Sequence, residues 1–186
     1  MTALAAMVSI AAILQGFTLD ATGSGSVQLH ASPDSVRAML LRVQTLAQHM
    51  PGVTGIVPRA DGGYDYRTAR EIPFSGEMRT EFIVRCAIDG AGNVSYRSPD
   101  STAANWMQFR FTFMPGSDGT TTVHMTLRVR LVRESGTEIH LLAPVLGEEF
   151  LSERMENDIT AMLETFGERL EHRCAEGGAG GTTHAQ

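Results

Sequence analysis

The sequence predicts an α+β domain in which a curved antiparallel sheet wraps around one long C-terminal helix. Two observations predict it: a succession of strands with short turns over residues 54–134, and an apolar stripe on a charged helix over residues 147–173. A sheet with one apolar face needs a cover, and the long helix is the element available for it. At 186 residues, 42% of them hydrophobic, the chain is long enough for one domain with a real core.

We divide the chain into an N-terminal apolar extension over residues 1–23, a domain over residues 24–173 and a disordered Gly-rich tail over residues 174–186. The segment "MTALAAMVSIAAIL" (residues 1–14) lacks the basic start of a signal peptide, and no A-x-A-like cleavage site follows it. We interpret it as an extra helix packed on the domain. A misassigned start codon and a shallow membrane-surface anchor are the alternatives.

A short strand and one amphipathic helix open the domain. The strand is "GSVQLHAS" (residues 25–32), in which apolar and polar side chains alternate. Ser32 is a typical N-cap, and Pro33 is a typical first-turn residue of the helix that follows. Apolar residues then recur at spacings of three and four up to Met50, where "MPGV" ends the helix.

Successive strands follow as a meander of antiparallel pairs. The first two form a hairpin across "DGG" (residues 61–63), and the later turns are "GAGN" and "PGSDGT". The strand sequences are "TGIVPRA", "YDYRTAREI", "EMRTEFIVRCAID", "VSYRS", "NWMQFRFTFM" and "TTVHMTLRVRLVRE".

The C-terminal helix is the most regular element of the sequence. Its apolar stripe advances by steps of three and four residues and comprises Leu151, Met155, Ile159, Met162, Phe166 and Leu170. Glutamates stand near its start and arginines near its end, as the helix dipole favours.

The titratable residues give no sign of a metal, cofactor or nucleic-acid site. Cys86 and Cys174 form no CxxC, and the six histidines lack a metal-ligand spacing such as HExxH. A net charge of −6 is not that of a nucleic-acid binder. We therefore predict no metal, no cofactor and no nucleic-acid partner. No Ser–His–Asp or Cys–His arrangement is discernible, so we name no catalytic residue.

The order strand, helix, antiparallel strands and long helix resembles the helix-grip (SRPBCC or START-like) superfamily, which includes polyketide cyclases, over residues 24–173. Three stretches, "SPDSVRAMLLRVQTLAQHMPGVTGI", "GGYDYRTA" and "IPFSGEMRTEFIV", are similar to the branch named for the G-type subunit of carbon monoxide dehydrogenase. "IHLLAPVLGEEFLSERMENDI" is also similar to an uncharacterised family from cyanobacteria and plastids. The carbon monoxide dehydrogenase resemblance implies association of a redox enzyme with a membrane and handling of quinone. These motifs identify a scaffold, and a scaffold alone is weak evidence for function.

The inward faces of three long strands carry almost no hydrogen-bonding side chain. In "WMQFRFTFM", for example, the residues Met107, Phe109, Phe111 and Phe113 alternate with mostly polar ones. Two interpretations are open: a packed core, or an apolar pocket between sheet and helix with a few polar groups that orient a ligand. For the pocket, the predicted ligand-binding residues are Tyr66, Arg70, Phe82, Val84, Met107, Phe109, Phe111, Met125, Leu127, His140, Met155 and Ile159.

Polar contacts to a ligand are expected from the hairpin and from one loop. Tyr66 and Arg70 share a face of "YDYRTAR" and would hydrogen-bond a carbonyl or head group if that face is inward. The alternative is a solvated sheet edge. His140, beside "LLAP", lies either at the mouth of the pocket or in an ordinary, partly buried loop.

The outer face of the sheet is expected to be rich in arginine, with Arg85, Arg110, Arg128 and Arg130 pointing outward. Such a face is usually only solvated. The alternative is docking on an acidic protein or on an anionic membrane surface.

Three functions are compatible with this sequence. The first is a non-enzymatic binding protein for a hydrophobic small molecule such as a lipid, quinone or pigment, with a further role as accessory subunit of a membrane-associated redox complex. The second is an enzyme of the polyketide cyclase/dehydratase type, which needs Tyr66, Arg70 or His140 in the pocket. The third is an accessory subunit with a solid core and no ligand. A cavity of several hundred Å³ would favour the first over the third. We expect a cytoplasmic protein, either free or peripheral to the inner membrane.

Overall fold

The computed structural model describes residues 16–72, 76–140 and 142–179 of the chain. The interpretations of residues 1–14 and of the sequence after residue 179 lie outside these ranges. No helix within them is long and apolar enough to cross a bilayer.

Seven antiparallel strands form one sheet in the order β1-β7-β6-β5-β4-β3-β2. From β2 to β7 each strand pairs with the next in sequence, which is the predicted meander, and β1 closes the order beside β7. The strands are β1 (Phe17–Leu29), β2 (Val53–Pro58), β3 (Tyr64–Ile72), β4 (Gly76–Ile88), β5 (Val94–Arg97), β6 (Asn105–Pro115) and β7 (Thr121–Arg133). The helices are α1 (Pro33–Leu40), α2 (Val43–His49) and α3 (Ala143–Ala179), with a 3₁₀ turn at Gly136–Glu138. The predicted fold class, a curved antiparallel sheet around a long C-terminal helix, is confirmed.

Strand β1 begins at Phe17 rather than at residue 25. Its buried side chains near the start are Phe17, Leu19 and Ala21. The predicted boundary between extension and domain, after residue 23, therefore falls inside this strand. The next inward positions are Gly23 and Gly25, which carry no side chain, so the apolar alternation is interrupted in the sequence.

The single helix predicted after Ser32 is wrong, because the segment forms two short helices, α1 and α2. The N-cap is confirmed: the Ser32 hydroxyl accepts a hydrogen bond from the backbone N–H of Ser35 at 3.3 Å. The break falls at Leu41 and Arg42, where the sequence has neither proline nor glycine.

Two side chains satisfy backbone carbonyls near this break. The Thr45 hydroxyl donates to the Met39 carbonyl at 2.7 Å, and the Tyr96 hydroxyl donates to the Leu40 carbonyl at 2.8 Å. Carbonyls at a helix end need such partners when they are buried. Tyr96 lies far away on β5, so the local sequence pattern could not indicate this contact.

Helix α3 starts before the predicted position and continues past the predicted end at residue 173. Its first turn is separated from the rest by Gly147, whose φ of 82° and ψ of 163° lie in a region that essentially only glycine adopts. The predicted stripe faces the sheet: the buried members are Leu151, Ile159, Phe166 and Leu170, and the half-buried ones are Met155 and Met162. Residues 174–179, predicted as the start of the tail, belong to this helix.

Helix α3 packs mainly on β1. A Cβ atom added to Gly23 would lie 2.5 Å from Cγ2 of Ile159 and 2.9 Å from the backbone nitrogen of Thr160. Only glycine allows the helix to approach the strand this closely.

Two glutamates of α3 also bind the free edge of β1. The backbone N–H of Thr18 donates to Oε1 of Glu148 at 2.7 Å, and that of Thr22 donates to Oε1 of Glu156 at 3.2 Å. These carboxylates satisfy donors of an edge strand and so block its pairing with another chain.

The predicted inward faces of β4, β6 and β7 are confirmed for their central residues. The buried ones are Phe82, Val84, Met107, Phe109, Phe111, Val123, Met125, Leu127, Val129 and Leu131. Ile88, at the end of β4, is 52% exposed and was wrongly included in this face.

One half of the interior, where α1 and α2 lie, is a packed core. The rings of Phe109 and Phe111 meet with centroids 4.1 Å apart, and they lie 6.1 and 6.4 Å from the ring of Phe166 on α3. All three side chains are fully buried. Tilted aromatic contacts of this kind are stabilising beyond the area they bury.

Candidate functional site

The other half of the interior holds a cavity of about 240 Å³ between α3 and strands β3 and β4, which we name the inner pocket. Because α3 is seated on β1 at Gly23, the opposite side of the sheet is left without close contact to the helix. From β3 and β4 the lining comprises Tyr66, Thr68, Ala69, Arg70, Met78, Thr80 and Phe82. The rest comprises Pro51 and Gly52, Met107 of β6, Leu127, Val129 and Leu131 of β7, and Met155, Asp158, Ile159 and Met162 of α3.

A second space of about 390 Å³, the outer cleft, adjoins the inner pocket toward the start of α3. Residues found only in its lining are Leu19, Glu71, Ile139, His140, Leu146, Phe150, Leu151 and Arg154. Four residues line both spaces, namely Arg70, Met78, Met155 and Asp158. Small-molecule pockets usually measure about 300–1,000 Å³, so the outer cleft falls within this range and the inner pocket just below it.

An ion pair stands where the two spaces meet. Nη2 of Arg70 lies 2.5 Å from Oδ2 of Asp158 and so links β3 to α3 across the gap between sheet and helix. Nε of Arg154 lies 3.6 Å from the same oxygen. The side chains of Arg70 and Asp158 are 40% and 28% exposed, so solvent screens the pair and its contribution to stability is small. Its chemical importance is that it places guanidinium donors at the mouth of an apolar pocket.

Tyr66 is the most deeply buried polar residue predicted for the site. Only 4% of its surface is exposed, and its hydroxyl has no hydrogen-bond partner in the part of the chain that the structure describes. Burial raises its pKa above the ordinary value, so the hydroxyl stays protonated and is able to donate. An unpaired donor beside an apolar cavity is suited to a ligand oxygen.

Other polar groups of the site already have protein partners. The Thr68 hydroxyl donates to the backbone carbonyl of Thr80 at 3.3 Å. Nδ1 of His140 accepts a hydrogen bond from the backbone N–H of Leu142 at 3.0 Å, which identifies Nδ1 as the unprotonated nitrogen in this arrangement. Thr68 and Thr80 line the inner pocket, and His140 lines the outer cleft.

Eight of the twelve residues predicted for ligand binding border one of the two spaces. Those in the inner pocket are Tyr66, Arg70, Phe82, Met107, Leu127, Met155 and Ile159, and His140 is in the outer cleft. The polar face of the hairpin is therefore inward and not a solvated sheet edge.

The other four predicted residues, Val84, Phe109, Phe111 and Met125, line neither space. They point inward as predicted but lie in the packed half, where the Phe109, Phe111 and Phe166 rings fill the interior. Strand alternation predicts which side of the sheet a residue occupies. It does not predict how far along the strand the helix diverges from the sheet.

The prediction omitted several lining residues, some of which had a usable signal. Met78 and Thr80 share the face of Phe82 by alternation, and Met162 belongs to the apolar stripe of α3. Asp158 had no such signal, because a single carboxylate beside the stripe resembles the many exposed acidic residues of this helix.

The outer-face arginines bind groups of the same molecule. The predicted set pairs as Arg85 with Asp61 at 3.3 Å, Arg110 with Asp89 at 2.9 Å and Arg128 with Asp20 at 2.8 Å, while Arg130 donates to the Ser101 carbonyl. The hydrogen bond from Arg128 holds the pKa of Asp20 below its ordinary value. Docking of this face on an acidic protein or an anionic membrane stays a prediction.

Trp106 also lies on this outer side, yet only 8% of its surface is exposed. The guanidinium groups of Arg128 and Arg130 lie 5.8 and 5.9 Å from its ring centre and cover it. The two arginines therefore act partly as packing groups.

No group of three or more His, Cys, Asp or Glu side chains that could hold a metal ion occurs in residues 16–72, 76–140 and 142–179. Cys86 and Cys174 are free, and burial raises the pKa of both thiols. A raised pKa lowers the thiolate fraction and so the reactivity of these cysteines.

No protein-family model and no curated protein sequence matches the chain. Solved structures are similar to it in fold. A START superfamily protein from Mycobacterium smegmatis is 17% identical with a TM-score of 0.53, over 83% of this chain and 97% of that one. The Zhui aromatase/cyclase from Streptomyces is 17% identical with a TM-score of 0.55, over 83% of this chain and 95% of that one. A protein from Thermus thermophilus is 15% identical with a TM-score of 0.55, over 80% and 96%.

These similarities show that the chain has the START-like helix-grip fold. At such identities they show the fold alone, because one fold serves many functions. The closer resemblance to the carbon monoxide dehydrogenase branch stays a prediction.

Proposed function

We propose that this chain is a non-enzymatic binding protein for a small hydrophobic molecule with one polar group, held in the inner pocket. The observation that carries the proposal is an apolar cavity of about 240 Å³ into which the fold brings Tyr66, a buried hydroxyl without a partner among the described residues. A solid core, the alternative for a purely structural subunit, would be packed to normal density and leave no such space.

The lining indicates the class of ligand. Four methionines, Met78, Met107, Met155 and Met162, border the inner pocket and adapt to irregular shapes. The volume suits a ring system or a short chain, so a long acyl or isoprenoid tail would extend past Arg70 into the outer cleft. A quinone-like or pigment-like ring with a carbonyl near Tyr66 fits this chemistry best.

The direct test is native mass spectrometry of the purified full chain, followed by organic extraction of what co-purifies. We expect a stoichiometric apolar molecule, or uptake of added menadione (a bicyclic quinone) in preference to oleate (a long acyl chain). A protein that carries nothing and takes up neither probe would overturn the proposal and favour the structural subunit.

Two tyrosines on the inward side provide a matched pair of variants. We expect Tyr66→Phe to weaken menadione binding by about threefold to tenfold, because one hydrogen bond is lost, without lowering the free energy of unfolding. Tyr96→Phe removes the hydrogen bond to the Leu40 carbonyl, so it should lower the free energy of unfolding by about 1 kcal/mol and leave affinity unchanged. Titration calorimetry and urea melts measure the two quantities. Equal loss of affinity in both variants would contradict the assignment of Tyr66 to the ligand.

A cyclase or dehydratase is the second candidate, and the presence of Tyr66, Arg70 and Asp158 around one pocket favours it. Such an enzyme needs groups that move protons at the ligand. Arg70 is held by Asp158 at 2.5 Å and remains cationic, so Tyr66 is left as the donor. Loss of water from an extracted ligand on incubation with the protein would establish this function in place of simple binding.

The accessory role in a membrane-associated redox complex, and peripheral attachment to the inner membrane, stay predictions. The inner pocket is formed by residues of one chain, so the binding proposed here requires neither.

A further inference from the structure

Three large apolar side chains are exposed at the start of α3, beside the mouth of the outer cleft. Leu142, Val145 and Phe150 are 46%, 84% and 52% exposed, and we name them the apolar patch. Phe150 and the neighbouring Leu146 line the outer cleft. Isolated exposed apolar residues need no explanation, whereas a group of them marks a contact surface.

The described chain begins next to this patch. Thr18 donates its backbone N–H to Glu148, which lies between Val145 and Phe150 in sequence. A Cβ atom placed on Gly136 would lie 2.7 Å from the ring of Phe17 and 3.0 Å from Cβ of Ala143, so these two residues are neighbours across Gly136. Residues 1–15 are therefore tethered, through Gly16, at the edge of the apolar patch.

The charges around the patch favour an uncharged occupant. Glu138, Glu148 and Glu149 are exposed around it, and an acidic rim repels anionic lipid head groups. Arg154, the arginine nearest to it in sequence on α3, already faces Asp158 at 3.6 Å. The segment "MTALAAMVSIAAILQ" has no charged side chain and is mostly apolar. Its tether gives it a local concentration on the order of millimolar, so it would outcompete apolar partners that are free in solution.

We propose that residues 1–15 fold back onto Leu142, Val145 and Phe150 and cover the mouth of the outer cleft. The contact itself does not depend on the function proposed above. Its consequence does rest on that function: a ligand reaches the inner pocket only when this segment is displaced.

A photo-crosslinking amino acid, p-benzoylphenylalanine, tests the contact in the full chain. We expect the Val145 variant to crosslink to residues 1–15 of the same molecule, as mapped by peptide mass spectrometry on mixed ¹⁴N and ¹⁵N protein. The matched control is the same substitution at Met114, which is 53% exposed at the other end of the sheet and should give no such product. Crosslinks from Val145 to a second copy, to phosphatidylglycerol vesicles, or to no part of residues 1–15 would each overturn the proposal.

The consequence for the ligand is tested with charges placed in the segment. In the full chain, Ile10→Asp with Ile13→Asp should abolish the Val145 crosslink and raise the association rate of menadione severalfold in stopped-flow measurements. An unchanged crosslink in this double variant would contradict apolar docking, and an unchanged rate with the crosslink lost would contradict the covering of the cleft. If neither protein binds menadione or oleate, the binding function fails, while the crosslink still decides whether the segment docks.

Discussion

Phe111 and Arg110 are consecutive residues of β6 with opposite surroundings. Phe111 is fully buried against Phe109 and Phe166. The side chain of Arg110 is 49% exposed and lies 2.9 Å from Asp89. The period of two along a strand puts one residue in the core and the next in solvent.

We expect Phe111→Arg to lower the free energy of unfolding by several kcal/mol, about 3–5 kcal/mol, since it removes a packed ring and buries an unpaired charge. Arg110→Ala should change it by less than about 1 kcal/mol, because exposed ion pairs contribute little. Urea melts of the two variants measure both effects. Comparable midpoints would mean that the assignment of faces in β6 is wrong.

His49 makes the stability of the fold depend on pH. Its Nε2 is buried and has no hydrogen-bond partner within the described ranges. Burial lowers its pKa below the ordinary 6.5, and the nearby charges of Arg173 and Arg169 add to the effect. Because the unfolded chain then binds a proton more readily than the folded one, this contribution to stability is complete above pH 6.5 and is lost as the pH falls below it.

We expect the free energy of unfolding to decline as the pH falls below about 6.5, and His49→Gln to reduce that decline. The control is His124→Gln, at an exposed position of β7. Urea melts at a series of pH values measure the effect. If His49→Gln retained the pH dependence of the unmodified chain, His49 would not be its source.

At the scale of elements, the contact of α3 with β1 determines where the cavity lies. Gly23 lets the helix come within contact distance of the strand backbone, and Glu148 and Glu156 bind the N–H groups along the same edge. The helix is thereby held at the β1 side of the curved sheet. The space opposite β3 and β4 is the geometrical consequence.

We expect Gly23→Ala to lower the free energy of unfolding by about 1–3 kcal/mol, because the new methyl group would overlap Ile159 and the backbone of α3. It should also change menadione affinity, since Ile159 lines the inner pocket. Gly55→Ala is the control, as a Cβ there meets nothing within 4 Å. Thermal melts and titrations compare the two, and equal stability would show that α3 has room to move away from β1.

At the scale of the whole molecule, the interior is divided into a packed end and an open end. Around Phe166 the aromatic rings are in contact, whereas around Tyr66 the inner pocket leaves free volume. Local opening is easiest where buried contacts are few. The binding end of the domain should therefore also be its less stable end.

Amide hydrogen exchange tests this division. We expect the slowest exchange in β6 around Phe109 and Phe111, and faster exchange in β3 and β4 around Arg70 and Met78. Bound menadione should slow exchange at the open end only, because a ligand stabilises the state that it binds. Uniform protection across β3, β4 and β6 would contradict the division.

The sequence by itself determined the elements and their faces. The stripe of α3 and the alternation in β4, β6 and β7 are local periodicities, and each indicates the buried side of one element. The same reasoning placed Tyr66 and Arg70 on one face of the hairpin. The fold class followed from the order of these elements.

Only the tertiary structure decided which part of the inward face borders a cavity. Met107 lines the inner pocket while Phe109 and Phe111, on the same face of β6, do not. The pairing of Asp158 with Arg70 and the helix break satisfied by Tyr96 likewise join residues far apart in sequence. The physical reason is that the distance between helix and sheet is set by contacts such as Gly23 against Ile159, and such contacts leave no periodic signal in either segment.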